Sequence, residues 1–204
     1  MAKKKFYVVR KGRLPGIYES WDTCKAQIDG FSGADYKGFE SEEEAKKYFD
    51  NSEDFVEETD VKSLDPGQAV AYVDGSFDQT TGCYASGLII FFGNEEVRIS
   101  HKYDNPSMAS MRNVAGEIMA SVEAMRYCLS IGIKELIIYH DYEGIAKWPT
   151  GAWKTEKDGT KAYKEFYEKV CTKLTVKFVK VKGHSGDEYN DVADYLAKEA
   201  LGLN

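Results

Sequence analysis

Short apolar runs alternate with longer amphipathic stretches along the chain, and their periods divide it into two unequal parts. Near the start, "KFYVVRKG" reads as a strand, followed by a turn at Leu14-Pro15-Gly16. A short helix is predicted from Ser20 or Trp21 to about Ile28, then the segment "DYKGF" and a helix opening at Ser41. Glu44 stands three residues after Ser41, the spacing of a capping box. A unit of roughly 50 residues has a small core and depends on its aromatic side chains.

Three strands open the larger part, "AVAYVD", "YASGLIIFF" and "EEVRISHKY", joined by Gly-containing turns that suit antiparallel neighbours. A long helix is predicted from about Ser110 to Ser130, because Val114, Ile118, Val122, Met125 and Leu129 recur at helical period. The adjacent row Glu117, Ser121, Ala124, Cys128 is small enough to lie against a sheet, so Glu117 belongs at the edge of the buried side. Strand "ELIIYHD" follows, then helices from Tyr142 to Trp148 and near Lys161 to Lys173, and strand "TVKFVKV". A closing helix turns Val192, Ala193, Leu196, Ala197 and Ala200 inward. The order β-β-β-α-β-α-α-β-α predicts an α/β domain, a mixed sheet flanked by helices.

Between the two parts, residues 51–68 carry six acids against Lys62 alone, show no period and close on Pro66-Gly67. They read as an acidic linker. The division expected is therefore 1–50, 51–68 and 69–204. Net charge is −7 over 204 residues, which argues against a protein that coats nucleic acid without specificity. The average hides a basic end, since residues 1–40 hold eight Lys or Arg against five acids. No signal-like n-region and apolar run follow Met1, and no stretch approaches the roughly 20 apolar residues of a membrane span. A cytoplasmic protein with no membrane partner is expected. Cys24, Cys83, Cys128 and Cys171 are too scattered for a zinc site or disulfide framework and are expected to be reduced, mostly buried thiols.

Candidate chemistry begins at "LIIYHDYEGI", where an apolar strand closes on Asp141. The same pattern occurs in "AYVDGS", where Asp74 is expected to end its strand. If those strands are parallel neighbours, both aspartates lie at the carboxyl edge of the sheet, where open α/β sheets place ligands. Carboxylates held that close repel unless a cation sits between them, and magnesium takes oxygen ligands. Glu117 can supply a third oxygen ligand, and the closing helix offers Asp187, Glu188, Asp191 and Asp194. Four oxygen ligands with no His or Cys cluster suit two magnesium ions about 4 Å apart, an arrangement for in-line phosphodiester displacement.

The motifs "YVDGS", "NVAGEIMA", "YHD" and "VKGHSGDEYNDVADYLAK" together resemble those of type 1 ribonuclease H, over roughly residues 69–202. The resemblance implies a ribonuclease H-like mixed five-stranded sheet with flanking helices. It also implies an endoribonuclease that hydrolyses the RNA strand of RNA·DNA hybrids and leaves 5′-phosphate and 3′-hydroxyl ends. Asp74, Glu117, Asp141 and Asp194 would bind two Mg2+ ions, with Mn2+ as a substitute. Asp191 is the rival to Asp194, but the spacing after Asn190 and the preceding Ala193 favour Asp194. By the same resemblance His184 assists proton transfer or product release, and Asn113 works at the minor groove.

The first unit is similar to the hybrid-binding, or viroplasmin-like, module of ribonucleases H, across "FYVVRKGRLPGIYESWDTCKAQIDGFSGADYKGF". That similarity implies a small α+β domain in which Trp21 and Tyr36 pack on DNA sugars and Lys37 reads the RNA strand. Such contacts suit the shallow minor groove of an A-like duplex, and double-stranded RNA is a further expected ligand. The chain is expected to be a monomer. It departs from the family at Tyr142, where many relatives have Ser, at Gly116, where a bulkier residue precedes the glutamate, and in the loop "DQTTGC" after Asp74. Gly38 stands where a second basic residue is common, and the segment after Trp148 is too short for the basic handle helix of some bacterial members. The N-terminal module is the expected replacement, tethered so that its local concentration stays high. Two other readings share the pattern. One is a non-catalytic hybrid-binding protein with a lapsed nuclease site, and the other is a transposase-like or exonuclease-like use of the same fold and metal site.

Overall fold

The computed structural model describes residues 5–50, 61, 63–181 and 188–203. They divide into two units, Met1–Glu57 and Glu58–Asn204. Most of the expected linker, and with it His184 and Asp187 of the last motif, lies outside the described residues.

In the first unit the strand β1 (Phe6–Lys11) pairs antiparallel with β2 (Gly16–Tyr18) on one side and β3 (Asp35–Phe39) on the other. β2 has only three residues, too few to leave a period in the sequence, and no strand is predicted there. Two helices complete the unit, α1 (Trp21–Ile28) and α2 (Glu42–Asp50). Each begins where a hydroxyl accepts from an otherwise unpaired amide: Ser20 Oγ from the Thr23 N–H at 3.2 Å, Ser41 Oγ from the Glu44 N–H at 3.1 Å. Phe6 and Val8 pack with Ala45 of α2 into a small core bordered by Ile17, Phe39, Tyr48 and Phe49.

The second unit runs β4 (Gln68–Phe77), β5 (Tyr84–Phe92), β6 (Glu95–Tyr103), α3 (Pro106–Ala109), α4 (Asn113–Ser130), β7 (Glu135–His140), α5 (Gly144–Lys147), α6 (Asp158–Val170), β8 (Thr175–Lys180) and α7 (Glu188–Leu201). Its five strands form one mixed sheet in the order β6-β5-β4-β7-β8. β4, β5 and β6 are antiparallel neighbours, whereas β7 runs parallel to both β4 and β8. One face carries Ala69, Ala71 and Val73 of β4 beside Leu88, Ile90, Leu136 and Ile138, in one core with Ile118 and Met125 of α4 and Tyr163 of α6. On the other face Tyr72 and Tyr139 stack at 4.6 Å, and Tyr189 of α7 tilts against Tyr72 and Phe91 at 5.3 and 4.7 Å. Among the described residues no helix is long and apolar enough to cross a membrane.

Three expectations change. β4 does not end at Asp74 but continues to Phe77, because Gly75, Ser76 and Phe77 still pair with β5. The helix expected from about Ser110 begins instead at Asn113, after Arg112, whose backbone takes a positive φ of +54°, and the four-residue α3 precedes it where no helix is predicted. The helix expected from Tyr142 to Trp148 shortens to four residues, and Pro149 stands just after its C-cap. Of the cysteines, Cys24 and Cys128 are buried, Cys83 is half-buried and Cys171 is exposed.

α4 is held on the sheet in two ways. The Glu123 carboxylate accepts from Ser86 Oγ at 2.8 Å and from Tyr103 Oη at 2.5 Å, and it lies 2.7 Å from His101 Nδ1. Nearer the start of α4 the contact is backbone on backbone. A Cβ on Gly75 would stand 2.2 Å from the Asn113 carbonyl oxygen and 2.3 Å from the Glu117 nitrogen. One on Gly116 would stand 2.0 Å from the Ala85 carbonyl oxygen. Only glycine at both positions allows this approach. Gly116→Ala should therefore lower the unfolding free energy of the second unit by about 3 kcal/mol or more, because neither backbone can yield. Urea denaturation measures it, and wild-type stability would show that the contact is looser than described.

Candidate active site and nucleic-acid interface

The parallel register of β4 and β7 pairs Tyr72 with Tyr139, and two residues further along it sets Asp74 abreast of Asp141. Alternation along β4 puts the Asp74 side chain on the sheet face that carries Tyr72, Tyr139 and α7, and Asp141 follows directly on the last residue of β7. Glu117 arrives from the opposite side, carried to the carboxyl edge by the Gly75–Gly116 approach. Asp74, Glu117 and Asp141 each offer a carboxylate oxygen within 4.8 Å of the others.

Burial makes that convergence costly. Glu117 is 1% exposed and Asp74 is 9% exposed. Desolvation, with Asp74 and Asp141 adding repulsion, holds the Glu117 carboxyl well above the usual range. Desolvation likewise pushes Asp74 up to about 7, with Asp141 and Asp194 adding to it and the Gly75 amide and Lys198 opposing it. The Gly75 N–H donates to Asp74 Oδ1 at 2.6 Å, while Glu117 Oε2 has no hydrogen-bond partner among the described residues. Three acceptor-only groups, one with an orphaned buried oxygen, fit a hard divalent cation.

Asp194 lies outside this trio, half-buried on α7, yet close enough for its charge to act on Asp74. α7 reaches the sheet by a second close approach, since a Cβ on Gly87, the partner of Asp74 in β5, would stand 2.2 Å from the Ala193 carbonyl oxygen. Lys198 Nζ donates to Asp194 Oδ2 at 2.5 Å. Asp191 is exposed and is not among the charges that act on Asp74, which sets it apart from Asp194. Asn113, the first residue of α4, is exposed one turn before Glu117. His140, which shares the opening motif with Asp141, is a buried residue whose Nδ1 lies 3.0 Å from the Tyr142 carbonyl.

In the first unit Trp21 and Tyr36 are 41% and 46% exposed, with ring centroids 5.7 Å apart, and Tyr7 lies 5.5 Å from Trp21. Three aromatic rings thus form one surface patch. Lys37, next to Tyr36 in β3, leaves the opposite face, its Nζ 5.2 Å from the Tyr48 ring. The structure therefore joins Trp21 to Tyr36 but not to Lys37.

Several features of the site were not anticipated from the sequence. Gly75 and Gly116 are the contact that delivers Glu117, and Gly116 stands where the sequence reading notes only a departure. Lys198 is one helical turn after Asp194, a spacing visible in the sequence but silent about charge at the sheet edge. A cleft of about 360 Å3 also opens among Ser110, Val114, Tyr142, Trp148, Lys154 and Lys157. Its aromatic and cationic walls come from segments too far apart in sequence for any local pattern to unite them.

Oxygen ligands gathered at the carboxyl edge of a β6-β5-β4-β7-β8 mixed sheet define a protein with a ribonuclease H-like fold. The solved ribonuclease H1 of Halobacterium salinarum superposes with a TM-score of 0.54 at 20% identity, covering 67% of this chain and 99% of that one. Residues 66–202 match the family model described as RNase H, and residues 5–49 match the one described as Ribonuclease H1 N-terminal domain. Ribonuclease H1 of Rattus norvegicus is 25% identical over 95% of this chain and 88% of its own length. Ribonuclease H of Saccharomyces cerevisiae is 58% identical over 43 residues, 21% of this chain and 12% of its own. The chain belongs to the ribonuclease H family, and as an enzyme it is a ribonuclease H.

The raised value of Asp74 has a consequence for stability. Its folded value of about 7 exceeds its ordinary 3.8, so the stability it contributes is complete below about pH 4 and is lost as the pH rises through 7. Metal-free wild type should thus be less stable than Asp74→Asn at pH 8, by about 2–4 kcal/mol, and the gap should close towards pH 4. Asparagine keeps an acceptor for the Gly75 N–H, so the comparison isolates the charge. Denaturation in chelator at the two pH values measures it, and a gap independent of pH would contradict the assigned burial.

Proposed function

We propose that this ribonuclease H is an endonuclease that cuts the RNA strand of RNA·DNA hybrids and leaves 5′-phosphate and 3′-hydroxyl ends. The observation that carries the proposal is the meeting of Asp74, Glu117 and Asp141 within 4.8 Å, with Glu117 Oε2 buried and without a hydrogen-bond partner among the described residues. Two divalent ions, Mg2+ or Mn2+, would be held by these three carboxylates and Asp194. When bound, they supply Lewis-acid stabilisation of the charge that develops on the scissile phosphate and lower the pKa of the attacking water. Asp74 is assigned the central position, because the charges of Asp141 and Asp194 act on it and its own charge acts on Glu117.

The protein's own groups bind and orient. Asn113 projects at the rim beside the carboxylates, a position from which an amide side chain can reach a minor-groove edge. Trp148, Tyr142, Lys154 and Lys157 border the neighbouring cleft, with the ring faces and ammonium groups that hold a nucleic-acid strand. In the first unit the patch of Tyr7, Trp21 and Tyr36 supports packing against sugars, while Lys37, on the opposite face of β3, is assigned to the RNA strand on the family resemblance alone. His184, which lies outside the described residues, is assigned to proton transfer or product release on the family resemblance alone.

Cleavage of labelled RNA in a hybrid, in an RNA duplex and as a single strand, with Mg2+ and with chelator, tests the proposal. Metal-dependent cutting of the hybrid alone is expected, whereas hybrid binding without cutting in Mg2+ or Mn2+ would replace it with a non-catalytic binding protein. Within the same assay Trp21→Ala should raise the hybrid Kd roughly tenfold and leave kcat at saturating substrate within about twofold, since stacking on one ring contributes about 1–3 kcal/mol to binding. An unchanged Kd would remove the aromatic patch from the binding surface.

A further inference from the structure

We infer that Lys198 is a built-in counter-ion for the Asp194 arm of the site, holding that carboxylate when metal is absent and competing with the divalent ion that Asp194 would help to bind. The inference rests on the proposed reading of the four carboxylates as a metal site. It begins from the contact itself, Lys198 Nζ to Asp194 Oδ2 at 2.5 Å, made one helical turn apart with the acid before the base, the favourable order. The two side chains are 42% and 24% exposed, so the ammonium stands at the mouth of the site and has solvent to retreat into.

Three other cations of the second unit are engaged with partners of their own. Lys180 pairs with Glu143 at 2.9 Å, Lys147 also pairs with Glu143, and the Arg112 guanidinium lies over the Phe77 ring at 5.5 Å. Among the described residues Lys198 is the cation whose charge acts on Asp74, where it favours the ionised form against burial and two other carboxylates. A lysine suits this task, because a compact charge on a flexible four-carbon stem can leave without disturbing the helix.

Two consequences separate this role from an ordinary helix ion pair. An exposed pair at this spacing contributes little to folding, so replacing Lys198 leaves the fold intact. A unit positive charge some 4–6 Å from a divalent ion, however, weakens binding by roughly tenfold even in a water-like dielectric. Lys198 therefore tunes how much free metal the enzyme needs before the Asp194 position fills. In its absence that position should fill at lower concentration.

Direct Mn2+ titration of the full chain, followed by electron paramagnetic resonance of the free ion, tests this without any turnover. Wild type, Lys198→Gln, Lys198→Arg, Asp194→Asn and the Asp194→Asn/Lys198→Gln double variant are compared at one pH and ionic strength. Wild type is expected to bind one tighter and one weaker ion. Lys198→Gln should tighten the weaker by roughly tenfold and the tighter by less than threefold. Lys198→Arg, which keeps the positive charge, should not tighten the weaker ion, and in the Asp194→Asn background Lys198→Gln should have no effect. A weaker ion whose affinity is unchanged or reduced in Lys198→Gln, a tightening that survives Asp194→Asn, or a single ion in every variant would overturn the inference while leaving the carboxylate trio as a metal site. Failure of wild type to bind any ion would instead remove the metal-site reading, and the inference with it.

Discussion

The close approach of α4 to β4 and β5 is the constraint on which the rest of the site depends. Glu117 lies on a helix that covers one face of the sheet, while Asp74 projects from the other and Asp141 stands just past the end of β7. A helix packed at ordinary distance would leave its glutamate too far from them. The missing side chains of Gly75 and Gly116 let the two backbones touch, and the first turn of α4 then sits beside the strand that carries Asp74. α7 uses the same device at Gly87 with Ala193 and Ala197, so both helices that bear site acids are brought in through glycine on the sheet.

That geometry works against the stability of the fold. Burial makes Asp74 and Glu117 resist ionisation, and Glu117 retains a buried oxygen without a hydrogen-bond partner among the described residues. Structures tolerate such groups where a ligand is to supply what the fold does not. The surrounding scaffold is correspondingly well tied. Glu123 is bound by groups from two strands, and the Tyr72–Tyr139 stack fixes the register of β4 on β7 two residues before the aspartates. At the opposite side of the site the Lys198–Asp194 pair is half-exposed. The site thus has a rigid, desolvated side and one arm open to water.

Much of this was legible in the sequence. The periods of "YASGLIIFF" and of the stripe from Val114 to Leu129 identify a sheet and a helix against it, and strands closing on Asp74 and Asp141 suggest a shared edge. That edge holds even though β4 runs on to Phe77, because the parallel register, not the strand's end, sets Asp74 beside Asp141. The start of α4 at Asn113 was less legible, since a positive φ at Arg112, a non-glycine residue, leaves no mark in an apolar period. Adjacent residues mislead in another way. Tyr36 and Lys37 read as one binding element, but strand alternation sends them to opposite faces.

By itself, the sequence determined the number and order of the main elements, the faces they bury, and a ligand set of oxygen atoms without a His or Cys cluster. Those properties follow from local periodicity and residue chemistry, which short stretches of chain carry without help from distant ones. Tertiary structure alone decided how deeply Glu117 is buried, how near it comes to Asp74 and Asp141, and that the charge of Asp194 acts on Asp74. Each of these is a distance between groups far apart in the chain or on different faces of an element. Such distances are set by strand register and by how closely helices can approach the sheet, which depends on where side chains are absent.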